Sequence, residues 1–197
     1  MNEQKICNEF MHAYPVIQVS FKDVNCDGSE SKSENLKSAI ESLKTTIGEL
    51  AQQFEFLQDS KELSDREKLS YKQISTRNPD TEGTTFLMGN SNLKSSLKTL
   101  TSLVRKYYGV APVLLIDEYD VPLNNAINGG YYKRFINTYK TLISKALKDN
   151  NISFAVVTGC LKISKESIFT GLNNLSVMSV TDTAEIYAFI IRTLFVL

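Results

Sequence analysis

The 197-residue sequence is poor in the residues that build metal centres and disulfide frameworks. It contains one histidine and three cysteines, and Cys7, Cys26 and Cys160 show no Cys-x-x-Cys spacing. An odd number of widely spaced cysteines with a single histidine is a poor basis for a zinc site or a disulfide-stapled fold. We therefore expect a reducing, cytoplasmic setting for this chain.

The sequence also has no excess of positive or negative charge and no apolar run long enough to span a membrane. Lys plus Arg and Asp plus Glu both total 22, so there is no basic excess and no clear nucleic-acid signature. Residues 1–5 lack the apolar core of a signal peptide. Residues 184–197 form a largely apolar tail of uncertain status, too short for the roughly 20 residues of a membrane span and more typical of a core helix.

A third absence concerns nucleotide binding. P-loop proteins hold phosphates with the backbone N–H groups and the lysine of a Gly-rich loop that ends in Gly-Lys-Ser or Gly-Lys-Thr. None of the nine glycines here is followed by lysine, and the segment from Gly89 to Ser96 lacks the second glycine of that loop. Any nucleotide site in this sequence is therefore expected to lack its phosphate-binding half.

The most informative feature that is present is the segment Val113–Glu118. Four consecutive apolar residues are followed by Asp117 and Glu118, as in a buried strand of a parallel sheet that ends in two carboxylates. Ligands of open α/β sheets bind beyond the carboxyl ends of the strands, where these two acids would lie. Taken alone, the pattern is equally typical of a solvated strand end whose acids only cap the next turn.

Two other segments predict neighbouring strands. Residues 152–157 are largely apolar and end at Thr158, which follows Asp117 by 41 residues, a spacing that fits one strand–helix–strand unit. Residues 16–21 supply a preceding strand. The ends of three parallel strands are therefore expected to converge on one crevice that holds Asp117, Glu118 and Thr158.

Helix signals fill the intervals between these strands. Capping-box patterns begin at Ser31 and Ser64, and each precedes a predicted helix. The first helix carries one apolar stripe, which predicts packing on its own domain or, as an alternative, a short coiled coil; Gly48 is expected to interrupt it. The stripe comprises Leu36, Ile40, Leu43, Ile47, Leu50, Phe54 and Leu57.

The remaining intervals complete the predicted order of elements. Residues 78–90 and 124–130 are expected to be loops, a helix over 93–107 should stop at Gly109, and another helix spans 135–146. The order indicates an α/β fold with a parallel sheet, right-handed crossovers and a helical insertion over about residues 31–77.

Several blocks of this sequence resemble the AAA-ATPase-like proteins, P-loop relatives that often carry a nuclease-like domain farther along the chain. The resemblance covers about residues 10–183, and the block that starts at Thr158 is its most specific part. It implies a three-layer P-loop-type parallel sheet in which residues 1–183 form a domain fragment that lacks the phosphate-loop strand. The matching blocks are Tyr14–Ile17, Ser20–Asp23, Leu115–Leu123, Gly130–Tyr132, Ala146–Asn150 and Thr158–Asn174.

The resemblance also implies roles for individual residues, with Mg-ATP as the cofactor of the family. Asp117 would be the Walker B carboxylate of the Mg²⁺ shell, Glu118 the base that orients water, and Thr158 a polar sensor. Lys162 stands where the family usually has arginine, so it keeps the charge but loses the two-pronged donor geometry for a phosphate. Asp120 matches the family pattern and is assigned only a role in shaping the site.

These features support three functional hypotheses. The first is a partial ATPase domain, truncated at both ends, in which the missing Walker A loop weakens or abolishes nucleotide binding. The second is a noncatalytic interaction module that associates through a sheet edge left open beside the strand that ends at Thr158, through the helices of the insertion or through the apolar tail. The third is an inactive fragment of a degraded gene.

Overall fold

The computed structural model describes residues 12–148, 151–160, 176–178 and 193–196. Its five strands form one sheet: β1 (Val16–Ser20), β2 (Val113–Asp117), β3 (Phe154–Gly159), β4 (Ser176–Met178) and β5 (Thr193–Val196). The strand order is β1-β2-β3-β5-β4. The fold is therefore α/β, as predicted.

The three predicted strands are confirmed, and they run parallel. Ser20 of β1 lies opposite Asp117 of β2, and Ile116 lies opposite Val157 of β3. Leu114 and Ile116 are buried in the middle of the sheet. This register brings the carboxyl ends of all three strands to one edge of the sheet.

The outer edge of β3 is not open. Strand β5 pairs antiparallel with β3, with Thr158 opposite Leu194, and β4 pairs antiparallel with β5. The expectation of an exposed edge beside Thr158 is therefore wrong, because four residues of the apolar tail satisfy the backbone groups there. The same four residues form a strand rather than the core helix that the tail suggested.

Helix α1 (Lys32–Gln52) begins as predicted, because the Ser31 side chain accepts a hydrogen bond from the Glu34 backbone N–H. Gly48 does not interrupt it, contrary to expectation. A Cβ at this position would lie 2.4 Å from the Phe86 ring, so the glycine allows that ring to pack directly on the helix backbone. The apolar stripe is buried in the chain's own core through Leu43 and Ile47.

The other helices follow in chain order: α2 (Asp65–Ser75), the short α3 (Asn90–Leu93), α4 (Ser96–Tyr108), α5 (Val121–Asn128) and α6 (Tyr132–Lys148). The capping box at Ser64 is formed, and Gly109 ends α4 in the left-handed conformation, both as predicted. The predicted loop over 124–130 is largely wrong, because α5 covers most of it. Proline at the start of α5 is compatible with helix, since its missing N–H has no partner in a first turn.

The segment between α2 and α3 is only partly a loop. A 3₁₀ turn spans Pro79–Thr81, and Arg77 and Phe86 form an isolated antiparallel bridge. Phe86 and residues of α1 and α2 belong to the same hydrophobic cluster as the sheet. Within the described residues, the predicted insertion thus shares one core with the strands that carry the site.

None of the described helices combines the length and the hydrophobicity that a bilayer crossing requires.

Candidate functional site

The carboxyl ends of β2 and β3 bring Asp117 and Thr158 into contact. The Thr158 hydroxyl donates a hydrogen bond to Asp117 Oδ1. The two residues lie one step beyond the Ile116–Val157 pair, so the parallel register of two central strands places them side by side. Residues 41 positions apart in sequence thus form the contact that the strand pattern predicted.

Glu118 follows in a left-handed backbone conformation, with φ of 55°. Its backbone N–H donates to Asp117 Oδ1 over 3.1 Å, so this one oxygen accepts two hydrogen bonds. Left-handed conformations are unfavourable for residues with a Cβ and persist where surrounding contacts impose them. The chain therefore turns sharply after Asp117, and Glu118 does not continue the extended conformation of β2.

The end of β1 meets the same edge of the sheet. The backbone N–H of Phe21 donates to the Asp117 carbonyl oxygen over 3.0 Å, which extends the β1–β2 pairing beyond Ser20. The Ser20 hydroxyl accepts a hydrogen bond from the Lys22 N–H over 3.4 Å. All three predicted strand ends therefore converge, as the sequence indicated.

The turn after β2 is tied to the end of β3 by Asp120, for which the resemblance implied only a site-shaping role, and by Tyr119 and Tyr139, for which the sequence predicted no role. The Tyr119 N–H donates to the Thr158 carbonyl oxygen over 3.1 Å, and the Cys160 N–H donates to Asp120 Oδ1 over 3.2 Å. From α6, the Tyr139 hydroxyl donates to the Tyr119 carbonyl oxygen over 2.8 Å. Burial, and secondarily the negative charge of Asp120, raises the pKa of Tyr139 well above its usual value, which keeps this donor protonated.

The sequence contained only an indirect signal for these contacts. Tyr139 occupies the apolar face of α6, where a tyrosine hydroxyl needs a buried partner. Asp120 is 1% exposed although it follows a strand end, where an acid is ordinarily solvated. Its burial depends on α6 and β3 packing around the turn, which local sequence does not specify.

The donors at this edge suit Mg²⁺ better than a transition metal. Magnesium prefers oxygen ligands, keeps several of its waters and is bound by one or two carboxylates together with substrate phosphates. Asp117 and Glu118 are such carboxylates, and Thr158 adds a hydroxyl. Across the described ranges, no cluster of three or more His, Cys, Asp or Glu side chains forms a complete metal cage. Lys162, the remaining predicted site residue, lies outside those ranges.

Comparison with known proteins decides the family. A family profile described as "Predicted AAA-ATPase" matches residues 1–169. The chain belongs to this AAA-ATPase-like family. It is also similar to an "Uncharacterized protein in vnfD 5'region" from Azotobacter chroococcum mcd 1, with 36% identity over 74 residues. That match covers 36% of this chain and 14% of the relative, so most of the relative lies outside it. No solved structure matches the chain significantly.

For an AAA-ATPase-like chain, this edge of the sheet is where nucleotide chemistry is expected. Asp117, Glu118 and Thr158 lie together there, as the resemblance implied. Glu118 contacts Asp117 through its backbone N–H, and the individual roles of the three residues remain predictions.

Proposed function

We propose that this chain carries the metal- and water-binding half of a Mg-ATP hydrolysis site. The observation that supports the proposal most is the hydrogen bond between Asp117 and Thr158 at the ends of adjacent parallel strands, with Glu118 in the turn that follows. In P-loop nucleotidases an acid in the first position holds the Mg²⁺ shell, and a neighbouring polar group orients the attacking water.

Each of the three residues has a distinct task in this proposal. Asp117 presents a carboxylate whose Oδ1 is already oriented by two hydrogen bonds, which reduces the entropy lost when it binds. Glu118 accepts a proton from, or orients, a water molecule in front of the γ-phosphate. Thr158, the polar sensor, donates its single hydroxyl proton to Asp117 Oδ1 and so holds that carboxylate in place. Bound Mg²⁺ would neutralise part of the negative charge on the phosphates.

The phosphate-binding half is expected to be weak in this sequence. No Gly-Lys-Ser or Gly-Lys-Thr loop is present, and catalysis in this class depends mostly on positioning and electrostatic stabilisation. The positive charge of Lys162 provides for one phosphate contact but not for the bidentate geometry of arginine. We therefore propose that Mg-ATP binds this 197-residue chain with low affinity.

Two titrations test the proposal. In the first, Mn²⁺ replaces Mg²⁺ as a paramagnetic probe, and we expect broadening of the NMR signals of the Glu118 amide and the Thr158 methyl group. The broadening should disappear in Asp117→Asn and persist in the control Asp80→Asn, an exposed acid in a separate loop. Unchanged signals in the wild type would contradict the metal-binding role.

In the second titration, a fluorescent ATP analogue is added with Mg²⁺ to the wild type and to Asp117→Asn. We expect only weak binding, in the millimolar range or beyond, because the loop that supplies most phosphate contacts is missing. Submillimolar binding that depends on Asp117 would contradict the proposed loss of affinity and would point to phosphate ligands elsewhere in the chain.

The alternative is a noncatalytic interaction module. Its original motivation, an open edge at β3, does not hold because β5 pairs there. A different edge strand supports this alternative. Strand β1 lies at the end of the sheet, and its residue Val16 is 50% exposed. Light scattering tests this alternative, since a monomer at high concentration, unchanged by Val16→Lys, would exclude self-association through β1.

A further inference from the structure

The proposed function gives the buried carboxylate of Asp120 no specific task beyond the site-shaping role that the resemblance implied. It is the one acidic or basic side chain that is buried in the described part of the chain. Burying a carboxylate is costly unless hydrogen bonds compensate, so a buried acid beside a candidate site calls for a physical explanation. The contacts of Asp120 with β3 provide one.

Asp120 joins the turn after β2 to the end of β3. Its Oδ1 accepts the backbone N–H of Cys160, the first residue beyond β3. A Cβ at Gly159 would lie 2.5 Å from that same oxygen and 2.4 Å from the Tyr119 ring. Only glycine therefore permits the turn to approach β3 this closely.

Two further hydrogen bonds support the approach, and both involve the backbone of Tyr119, the residue before Asp120. The Tyr119 N–H binds the Thr158 carbonyl oxygen, and the buried Tyr139 hydroxyl binds the Tyr119 carbonyl oxygen. These contacts lie directly beyond the point where the side chains of Asp117 on β2 and Thr158 on β3 meet. The separation of the two strand ends is thus defined by hydrogen bonds and by the lack of a Cβ, not by the sheet pairing alone.

We propose that Asp120 is a positioning residue, which holds the Asp117–Glu118 turn against Thr158 through the Cys160 N–H and the glycine at position 159. It acts through the backbone and does not touch nucleotide or metal. The importance of this clamp for catalysis rests on the proposed function, but the clamp itself can be tested without any ligand. A displacement of about 1 Å in such a site can cost about a hundredfold in rate.

Hydrogen exchange and NMR of the full chain test the clamp. In the wild type the Cys160 amide should be protected, and Asp120→Ala should speed its exchange about tenfold, as loss of a hydrogen bond worth about 1.4 kcal/mol would. The same variant should shift the Glu118 amide and Thr158 methyl signals. Asp120→Asn should retain most of the Cys160 amide protection and most of the wild-type Glu118 and Thr158 signal positions, because the asparagine amide oxygen accepts the same N–H.

A matched control separates positioning from general loss of stability. Tyr71→Phe removes another buried hydrogen bond, to the Ala51 carbonyl oxygen in the helical region, and should leave the Glu118 and Thr158 signals unchanged. Gly159→Ala should shift the Glu118 and Thr158 signals although Asp120 is intact, because its Cβ would push the turn away from β3. This second variant tests the same proposal if Asp120→Ala does not fold. An unprotected Cys160 amide in the wild type, or unshifted signals in Gly159→Ala, would overturn the proposal.

The metal titration distinguishes this inference from the proposed function. Signal shifts in Asp120→Ala without any Mn²⁺ effect in the wild type would support the clamp and reject the metal site. A Mn²⁺ effect of equal size in the wild type and in Asp120→Ala would support the metal site and overturn the positioning role.

Discussion

Glu118 offers a direct test of whether the turn after β2 is strained. Its φ of 55° lies in the left-handed region, which costs a residue with a Cβ about 1–2 kcal/mol. Glycine has no such penalty, although it loses about 0.5–1 kcal/mol more backbone entropy on folding. We therefore expect Glu118→Gly to be about 0.5–1 kcal/mol more stable than Glu118→Ala.

The comparison of glycine with alanine matters because both substitutions remove the same carboxylate. Any difference between them then reports the backbone conformation and not the lost charge. The control is Lys37, an exposed residue inside α1, where glycine should be less stable than alanine by about 1 kcal/mol. The sign of the glycine–alanine difference should thus reverse between positions 118 and 37.

Urea denaturation followed by far-ultraviolet circular dichroism measures this difference. With a slope of about 2 kcal/mol per molar urea, the two Glu118 variants should differ in midpoint by about 0.25–0.5 M. Both lose the carboxylate proposed to orient water, so Glu118→Gly should combine a relaxed turn with the loss of that proposed function. An alanine variant as stable as the glycine variant would refute the claim that strain is stored at this position.

Three further predictions concern stability away from the site. Gly48→Ala should destabilise the fold by about 1–3 kcal/mol in calorimetry, because its Cβ would overlap the Phe86 ring, and it should become neutral or stabilising when Phe86 is also replaced by alanine. Hydrogen bonds from Lys106 and from the capping serine lower the pKa of Glu67 to about 2, so its contribution to stability should be present above about pH 4.5 and vanish as pH falls towards 2. The contribution should be small because the Glu67 side chain is 31% exposed and solvent screens its ion pair with Lys106; a Glu67→Gln variant whose acid unfolding curve has the wild-type shape would contradict the prediction. Tyr71→Phe should cost about 0.5–1.5 kcal/mol in urea denaturation through the loss of one buried hydrogen bond, since the Ala51 carbonyl oxygen still accepts the Phe54 N–H, and an unchanged midpoint would count against the Tyr71 hydrogen bond.

The local pattern of the chain was sufficient to predict its main elements. Apolar runs located the three parallel strands, and the serine–glutamate pairs located the starts of α1 and α2. The same reasoning failed for α5, where proline and several asparagines resemble a loop although proline is well tolerated in a first helical turn. It also failed at Gly48, whose cost inside a helix is outweighed by packing against Phe86.

The sequence by itself determined which residues could reach the site, since strand length and the parallel order place Asp117, Glu118 and Thr158 at the carboxyl ends of β2 and β3. Only the tertiary structure decided how they are held. The burial of Asp120 and its hydrogen bond to Cys160, directly after β3, join residues 40 positions apart in sequence, and β5 pairs with β3 in an orientation that no local signal indicated. Periodicity and capping depend on neighbours within one or two turns, whereas such contacts depend on which distant surfaces pack together.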